Sequence, residues 1–433
     1  MRKNDFKNEI INFIKKSTCS FTCISEIEKV LKKEGFKELL EFEKWDLKRG
    51  KYFITRNNAS IIAFEIPTNF SSFSIITTHS DVPALLLKPN GAYIKEKYLK
   101  YNVMPYGGLL NYGWLDRPLS LAGRIITKKN DDLKVEIVDF KRPILVVPSV
   151  AIHLNDKANT NLDLNAQTDL QPLIALTKNK DYWFNILKQE VKDKVVDYEL
   201  FTYDLTEPTF IGQNKNILVS PRIDNQTSVY SALLSFIESK SSNIKVFSAF
   251  NNEEIGSLTT EGADSNFLID ILKRIAGSLN LDIASTLAKS LIISSDNTHA
   301  IHPNHIEYAD VTGAHSLGEG FSIIKESEST TNAISSSIIK TLCTRNKIKY
   351  QDSTAKNDIV GGSTLSGISL RHVSVTSIDV GVPELAMHSA VEVCSIDDVF
   401  ELYKMMKIFY ETQIFRKKNR IITKNWKNCK KVL

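Results

Sequence analysis

Runs of β-branched and aromatic residues alternate along this chain with longer stretches whose apolar positions recur every three to four residues, the two periods that separate strand from helix. The helical period predicts helices over residues 5–16 and 25–35, the second capped by Ser25 and ended by Gly35. Short strands are expected at 52–55 and 61–65, followed by the β-rich run Ser74, Ile75, Ile76, Thr77, Thr78, which ends at His79. From residue 86 to 216 the texture changes. Short β patterns dominate there, at 121–126, 133–139 and 144–147, punctuated by Gly, Pro and Asn, and they read as an inserted, mainly β module. Strand-then-helix order resumes at 217–220, with a helix at 226–239, strands at 244–250 and 291–294, a helix at 330–345 and a last strand at 373–380. That order predicts an α/β fold with a mostly parallel central sheet flanked by helices, built from residues 1–85 and 217–433 around an inserted domain at 86–216.

The ends of these strands collect one kind of chemistry. The segments Thr-His79-Ser-Asp81, Arg-Ile-Asp224-Asn, Asn-Asn-Glu253-Glu254-Ile-Gly, Ser-Ser-Asp296-Asn and Ala-Met-His388-Ser together supply imidazoles and carboxylates, the donors that a co-catalytic zinc pair requires, including a carboxylate able to bridge. Each segment alone is a weak signal, because Asp before Asn is ordinarily a turn or a helix cap. Amide hydrolysis needs a deprotonated water, a polarised carbonyl and a protonated leaving amine. In the Glu253 and Glu254 pair, one side chain suits a metal while its neighbour turns towards the water, although adjacent acids also suit a helix start. His79 and Asp81 are two apart and share one side of an extended strand, so Asp81 is placed to accept the second imidazole N–H of a ligating His79.

Composition changes the picture only in part. A chain of 433 residues exceeds what one core normally organises, and 42% apolar with 24% charged residues fits a globular protein. No apolar run approaches bilayer length, and the opening Met-Arg-Lys-Asn-Asp-Phe-Lys-Asn has no apolar core before its charges, so a cytoplasmic protein without a membrane role is expected. The net charge of +5 hints at nucleic acid, but residues 416–433 hold eight Lys or Arg and no acid, which leaves −3 for the rest. The basic character is a tail, expected to be solvated and mobile, with Ile421, Ile422 and Trp426 hinting at a packed final segment, and no nucleic-acid motif accompanies it. The cysteines Cys19, Cys23, Cys343, Cys394 and Cys429 are dispersed and read as free thiols. The run Gly-Gly-Ser-Thr at 361–364 lacks the Lys of a phosphate loop and is expected to open a helix packed near the strand ends.

Taken in order, these words resemble the M18 family of metalloaminopeptidases, the aspartyl aminopeptidase group among the zinc exopeptidases. The matching stretches are Thr78 to Asp81; Asp116, Arg117 and Pro118 ahead of Leu-Ser-Leu-Ala-Gly-Arg; Ala-Ile-His153-Leu; Pro-Arg-Ile-Asp224-Asn; Asn-Glu253-Glu254-Ile-Gly-Ser; Asp296 with His299 and His302-Pro-Asn; and Leu-Ala-Met-His388-Ser. The resemblance implies a zinc-exopeptidase fold and two divalent metal ions per subunit, zinc first and cobalt or manganese as substitutes. It implies that Asp224 bridges the ions, that His79 and Asp296 complete one shell and Glu254 and His388 the other, that Glu253 is the general base, and that Asp81 orients His79. His153 is implied to reach a neighbouring subunit's active site and to stabilise an oxyanion there. Lys325 is implied to face the substrate side chain and to favour an N-terminal Asp or Glu. The expected partners are peptides and further copies of the chain, in a dodecamer built from dimers.

Asn251 departs from the acidic residue common two positions before the Glu pair, and the inserted module is divergent. A related two-metal amidase or deacylase acting on non-peptide substrates would keep the same ligands without the pocket lysine. A non-catalytic assembly protein would be expected to have lost them. His305, His315 and His372 belong to no motif.

Overall fold

Nine strands form the central sheet of the computed structural model, which describes residues 1–359 and 365–425. From one edge to the other they run Lys37–Glu38, Gly50–Arg56, Ser60–Ile66, Ile244–Phe250, Phe73–His79, Leu291–Ser295, Thr376–Gly381, Phe321–Ile324 and Tyr350–Ser353. The four strands from Ile244–Phe250 to Thr376–Gly381 are mutually parallel, and the antiparallel pairings lie outside them. Parallel strands are covered on both faces and so carry unbroken apolar runs. Every residue of Phe73–His79 and of Ile244–Phe250 is buried.

Successive side chains go to opposite faces. Ile75, Val246 and Ile292 pack with the helix Phe267–Ser278 on one side, whereas Ile76, Phe247 and Ile293 meet the helices Lys3–Lys16, Ser20–Lys33, Ile223–Glu238, Ala333–Asn346 and Ile396–Tyr410 on the other. Phe247 is fully buried, and truncating it to Ala would cost about 3–5 kcal/mol. The buried Lys245 ammonium stands over the end of Ile223–Glu238, donating to Phe236 O at 2.6 Å and Ser239 O at 2.7 Å while pairing with Glu65 at 2.9 Å. It thereby satisfies carbonyls that a helix end leaves open, with a charge that suits the negative pole.

A second sheet is antiparallel throughout and uses residues 84–204: Asp132–Asp139, Leu119–Lys129, Lys194–Asp204, Ala84–Lys95, Tyr98–Tyr106 and Leu173–Ala175. Its own core gathers Leu85, Leu121, Ile125, Trp183 and Leu200. A third sheet orders Thr209–Ile211, Ile217–Ser220, Glu392–Ser395, Pro383–Leu385 and Thr298–His299.

Three local expectations change. The second helix begins at Ser20, not at Ser25, because Cys19 and Thr22 close the reciprocal capping bonds; Ser25 Oγ instead donates to Phe21 O within the helix at 2.9 Å. Residues 144–147 form only isolated bridges, Leu145 to Leu119 and Val146 to Leu173, with prolines at 143 and 148 removing donors on either side. The start of the basic tail is ordered as the hairpin Thr412–Lys417 with Arg420–Asn425. Residues 361–364, Trp426 and Cys429 lie outside the described residues; Cys19, Cys23, Cys343 and Cys394 are buried free thiols. No helix among the described residues is long and apolar enough to cross a membrane.

Candidate metal centre

Three adjacent parallel strands end on one edge of the central sheet. Phe250 pairs with His79 in register, and Ser294 pairs with Thr77, so the chain delivers His79, the segment holding Glu253 and Glu254, and Asp296 side by side at the carboxyl ends, the place where open α/β sheets bind ligands. The two glutamates ride one turn of 3-10 helix, Glu253–Ile255, entered through Asn252 at φ +63°. The third sheet supplies the rest. Ile217–Ser220 leads into Asp224, and Pro383–Leu385 leads into His388.

These side chains converge around Asp224. Its Oδ1 lies 3.4 Å from His79 Nε2, and its Oδ2 lies 3.3 Å from His388 Nε2. Asp296 Oδ1 is 3.0 Å from the same His79 nitrogen, and Glu254 Oε2 is 3.4 Å from His388 Nε2. Ligand atoms of His79, Asp224 and Glu254 lie within 4.8 Å of one another, as do those of His79, Glu253 and Asp296. The far nitrogens are fixed. His79 Nδ1 faces Asp81 O at 3.1 Å and Asp81 Oδ1 at 3.4 Å, and His388 Nδ1 faces Gly108 O at 2.9 Å. Carbonyl acceptors there require Nδ1–H, which leaves each Nε2 lone pair aimed at Asp224.

Asp81 does more than orient His79. Its carboxylate accepts the backbone N–H of Glu253 and of Glu254, both at 3.2 Å, and the Tyr106 hydroxyl at 2.8 Å. Tyr106 accepts in turn from Asn252 Nδ2 at 2.9 Å. Gly107 follows at φ +80°, and a Cβ there would stand 3.1 Å from Glu254 Cβ, so only glycine suits both the backbone and the approach. Asn297, next to Asp296, donates to Ile223 O at 3.0 Å and to Glu384 Oε2 at 2.9 Å.

The electrostatics of the cluster favour cations. Burial presses His79 towards the neutral imidazole, but Asp296, Asp224 and Asp81 outweigh it and raise its pKa well above the usual value. The same contest lifts His388 to about 10, with Asp224 its chief support. Burial alone would raise Asp224, yet the two imidazoles hold it below the usual carboxylate range. The other acids shift upward: burial, then Asp296, pushes Glu253 to about 8, and burial, then Asp224, raises Glu254. Burial raises Asp296 as well. Among the described residues, none of Asp81, Asp224, Glu253, Glu254, Asp296, Glu384 or Glu392 pairs with Lys or Arg. Among the described residues, buried Glu254 Oε1 accepts no hydrogen bond, and buried Asp224 Oδ1 has only His79 Nε2 near it, at 3.4 Å. Orphaned carboxylate oxygens, convergent imidazole nitrogens and uncompensated negative charge fit divalent ions with N and O ligands.

Beside the centre lies a cavity of about 430 Å³ lined by His299, His302, His315, Glu326, Lys356 and Glu384, together with Leu385, Ala386 and Met387 just ahead of His388. Lys325 is half-buried, follows the strand Phe321–Ile324 and bonds through its backbone N–H to Ser353 O at 2.9 Å; its neighbour Glu326 lines the cavity. His153 is exposed, in a turn segment beside exposed Val150, Ile152 and Leu154. Of the residues without a motif, His315 lines the cavity with an Nε2 that has no hydrogen-bond partner among the described residues, His305 faces Glu307, and His372 faces Asp264. Sequence reasoning missed Tyr106, Gly107, Asn297, Glu384 and Glu392. The Pro-Tyr-Gly-Gly word at 105–108, ending a β pattern, was the one available signal for the first two.

Comparison with known proteins gives one result. The family model described as Aminopeptidase I zinc metalloprotease (M18) matches residues 13–410. A Clostridium novyi (strain NT) protein named "Probable M18 family aminopeptidase 2" is 39% identical over 430 residues, covering 94% of this chain and 99% of the relative. Among solved structures, Ape4 in a complex with Nbr1 superposes with a TM-score of 0.89 at 28% identity, covering 94% of this chain and 86% of that one. A crystal structure of prApe1 superposes equally well, at 0.89 and 25% identity, covering 94% of both.

Proposed function

The chain belongs to the M18 family and is a metal-dependent aminopeptidase, and from that premise we propose that it removes N-terminal residues from peptides at a two-metal centre bridged by Asp224. The observation that carries this reading is the placement of Asp224, with one carboxylate oxygen towards each of His79 and His388. His79 and Asp296 would hold one ion, and Glu254 and His388 the other, with zinc first and cobalt or manganese as substitutes. When bound, such ions lower the pKa of water towards about 7 and polarise a carbonyl.

Every remaining task falls to side chains. The Glu253 carboxylate takes the proton from the attacking water and returns it to the leaving amine. The residue's backbone N–H, donated to Asp81 at 3.2 Å, fixes the segment that carries it at the strand ends. Asp81 holds the Glu253 backbone and the His79 tautomer, so the base and a ligand share one support.

We assign residues 86–216 to an inserted oligomerisation domain and residues 1–85 with 217–433 to the catalytic domain. The exposed apolar residues flanking His153 support a self-association surface, consistent with a dodecamer built from dimers in which His153 serves a neighbouring site. The location is assigned to the cytoplasm. Lys325 is assigned to an acidic N-terminal residue of the substrate.

Hydrolysis of Asp, Glu, Leu and Lys chromogenic amides, with and without a zinc chelator, tests the assignment. Chelator-sensitive cleavage led by Asp and Glu, with the lead lost in Lys325→Ala, supports it. Cleavage led by Leu removes the role of Lys325, and no cleavage by the metal-loaded protein removes the peptidase reading.

A further inference from the structure

The third sheet joins three ligand-bearing segments. Its strands Ile217–Ser220, Pro383–Leu385 and Thr298–His299 lead to Asp224, lead to His388 and follow Asp296, respectively. Glu392–Ser395 runs between the first two, with Glu392 opposite Ser220 and Cys394 opposite Glu384. Glu392 is therefore the first residue of the strand that separates the Asp224 segment from the His388 segment.

Its side chain turns inward and is 2% exposed. One carboxylate oxygen, Oε1, accepts the backbone N–H of His388 at 2.8 Å; the other, Oε2, accepts the backbone N–H of Asp224 at 3.1 Å. A single rigid group thus spans the residue between the two imidazoles and one of those imidazoles' own residues. The need for a tether is plain at His388, which sits at φ +66° with Ala386 at φ +59°, conformations that favour glycine over any residue with a Cβ. Only a carboxylate meets the demand. Two N–H groups converge on one side chain, and an amide offers one acceptor oxygen and would turn its NH2 group against the second donor.

We propose that Glu392 is a positioning residue for the metal centre: by accepting both backbone N–H groups it sets the separation of the Asp224 and His388 side chains that the ions require. It touches neither substrate nor reacting atoms, and it rests on the two-metal reading. Partners that orient ligands in this way change metal affinity or activity by about 10–100-fold when removed.

The test uses the full chain and three measurements: zinc affinity by competition with a chromogenic chelator, the visible spectrum of the cobalt-substituted protein, and kcat and KM on the best amide. Glu392→Gln is expected to weaken zinc binding by about 10–100-fold, alter the cobalt spectrum and lower kcat with little change in KM. Glu392→Asp keeps both acceptors on a shorter stem and is expected to recover part of each. A folded Glu392→Gln with wild-type zinc affinity and cobalt spectrum overturns the proposal. If Glu392→Gln fails to fold, the decision passes to Glu392→Asp, whose wild-type affinity and spectrum would overturn it equally. Wild-type protein that binds no zinc would instead overturn the metal-centre reading itself.

Discussion

Tyr106 donates its phenolic hydrogen to Asp81 at 2.8 Å, so the last residue of a strand in the antiparallel sheet steadies the carboxylate that accepts the backbone N–H groups of Glu253 and Glu254, on the residue whose backbone carbonyl faces His79. Burial and the Asp81 charge both push the Tyr106 pKa upward, which keeps the hydroxyl a donor at any working pH. Hydrogen bonds to charged groups are worth about 1.5–3 kcal/mol. Tyr106→Phe is accordingly expected to lower kcat about tenfold or more while retaining metal, by the reasoning that applies to partners of ligating groups. Steady-state kinetics beside metal analysis checks this; wild-type kcat in the loaded variant would show that Asp81 needs no help from Tyr106.

Glu253 lies among the carboxylates assigned to the metal centre, and the proposed reaction asks it to carry a proton. Glu253→Gln preserves shape and removes that capacity. The expected result is a fall in kcat of about 10²–10⁴-fold, with metal content and fold unchanged. A loaded variant that turns over normally would leave the proton transfer to another group.

The metal-free protein should respond to pH in an unusual direction. Glu253, raised to about 8 chiefly by burial, binds a proton in the folded chain that the unfolded chain has already released. His388, raised to about 10 against burial by Asp224 and Glu254, does the same over a higher range. Folded protein then holds more protons than unfolded protein between the ordinary carboxylate value and about 8, so stability falls as pH rises through that window. The melting temperature of chelator-treated protein is expected to drop between pH 5 and pH 9, and added zinc, which replaces those protons, is expected to remove the trend. A melting temperature of the metal-free protein that rises across this range would contradict the sign.

His153 stands exposed in a single chain, in the segment bearing exposed Val150, Ile152 and Leu154. His153→Ala is expected to keep metal and assembly but to lose about 10²–10³-fold in kcat, the usual cost of removing an oxyanion donor. Sedimentation together with kinetics reads both properties. Full turnover by the variant, or full turnover by dissociated wild-type monomers, would exclude service in trans.

The parts of this molecule that the sequence exposes are those where residue type and local pattern coincide. His79, Asp296 and the Glu253 and Glu254 pair each follow a β-rich run, and the strand ends place them on one edge as expected. The helix Ile396–Tyr410 is not among the elements expected from the sequence, although Ile396, Val399, Leu402, Met406 and Tyr410 recur at helical spacing and are buried. Cys19 hid the true start of the second helix, since cysteine is no recognised cap, and the nearby Ser25 supplied a false one. Glu392 was invisible for a different reason. Its importance comes from two N–H groups at residues 224 and 388, which nothing in local sequence brings together. Tyr106 and Asn297 share that character: the residues assigned as ligands stand out by type, whereas the side chains around them are defined by tertiary convergence.

The central claim is a pair of ions joined by Asp224, and its most direct test is the number of divalent ions bound per chain, by native mass spectrometry of zinc-loaded wild type and Asp224→Ala. Two zinc ions per wild-type chain, falling to one or none in a folded Asp224→Ala, is the result predicted. One zinc ion in the wild type, or two retained without the bridging carboxylate, would contradict it.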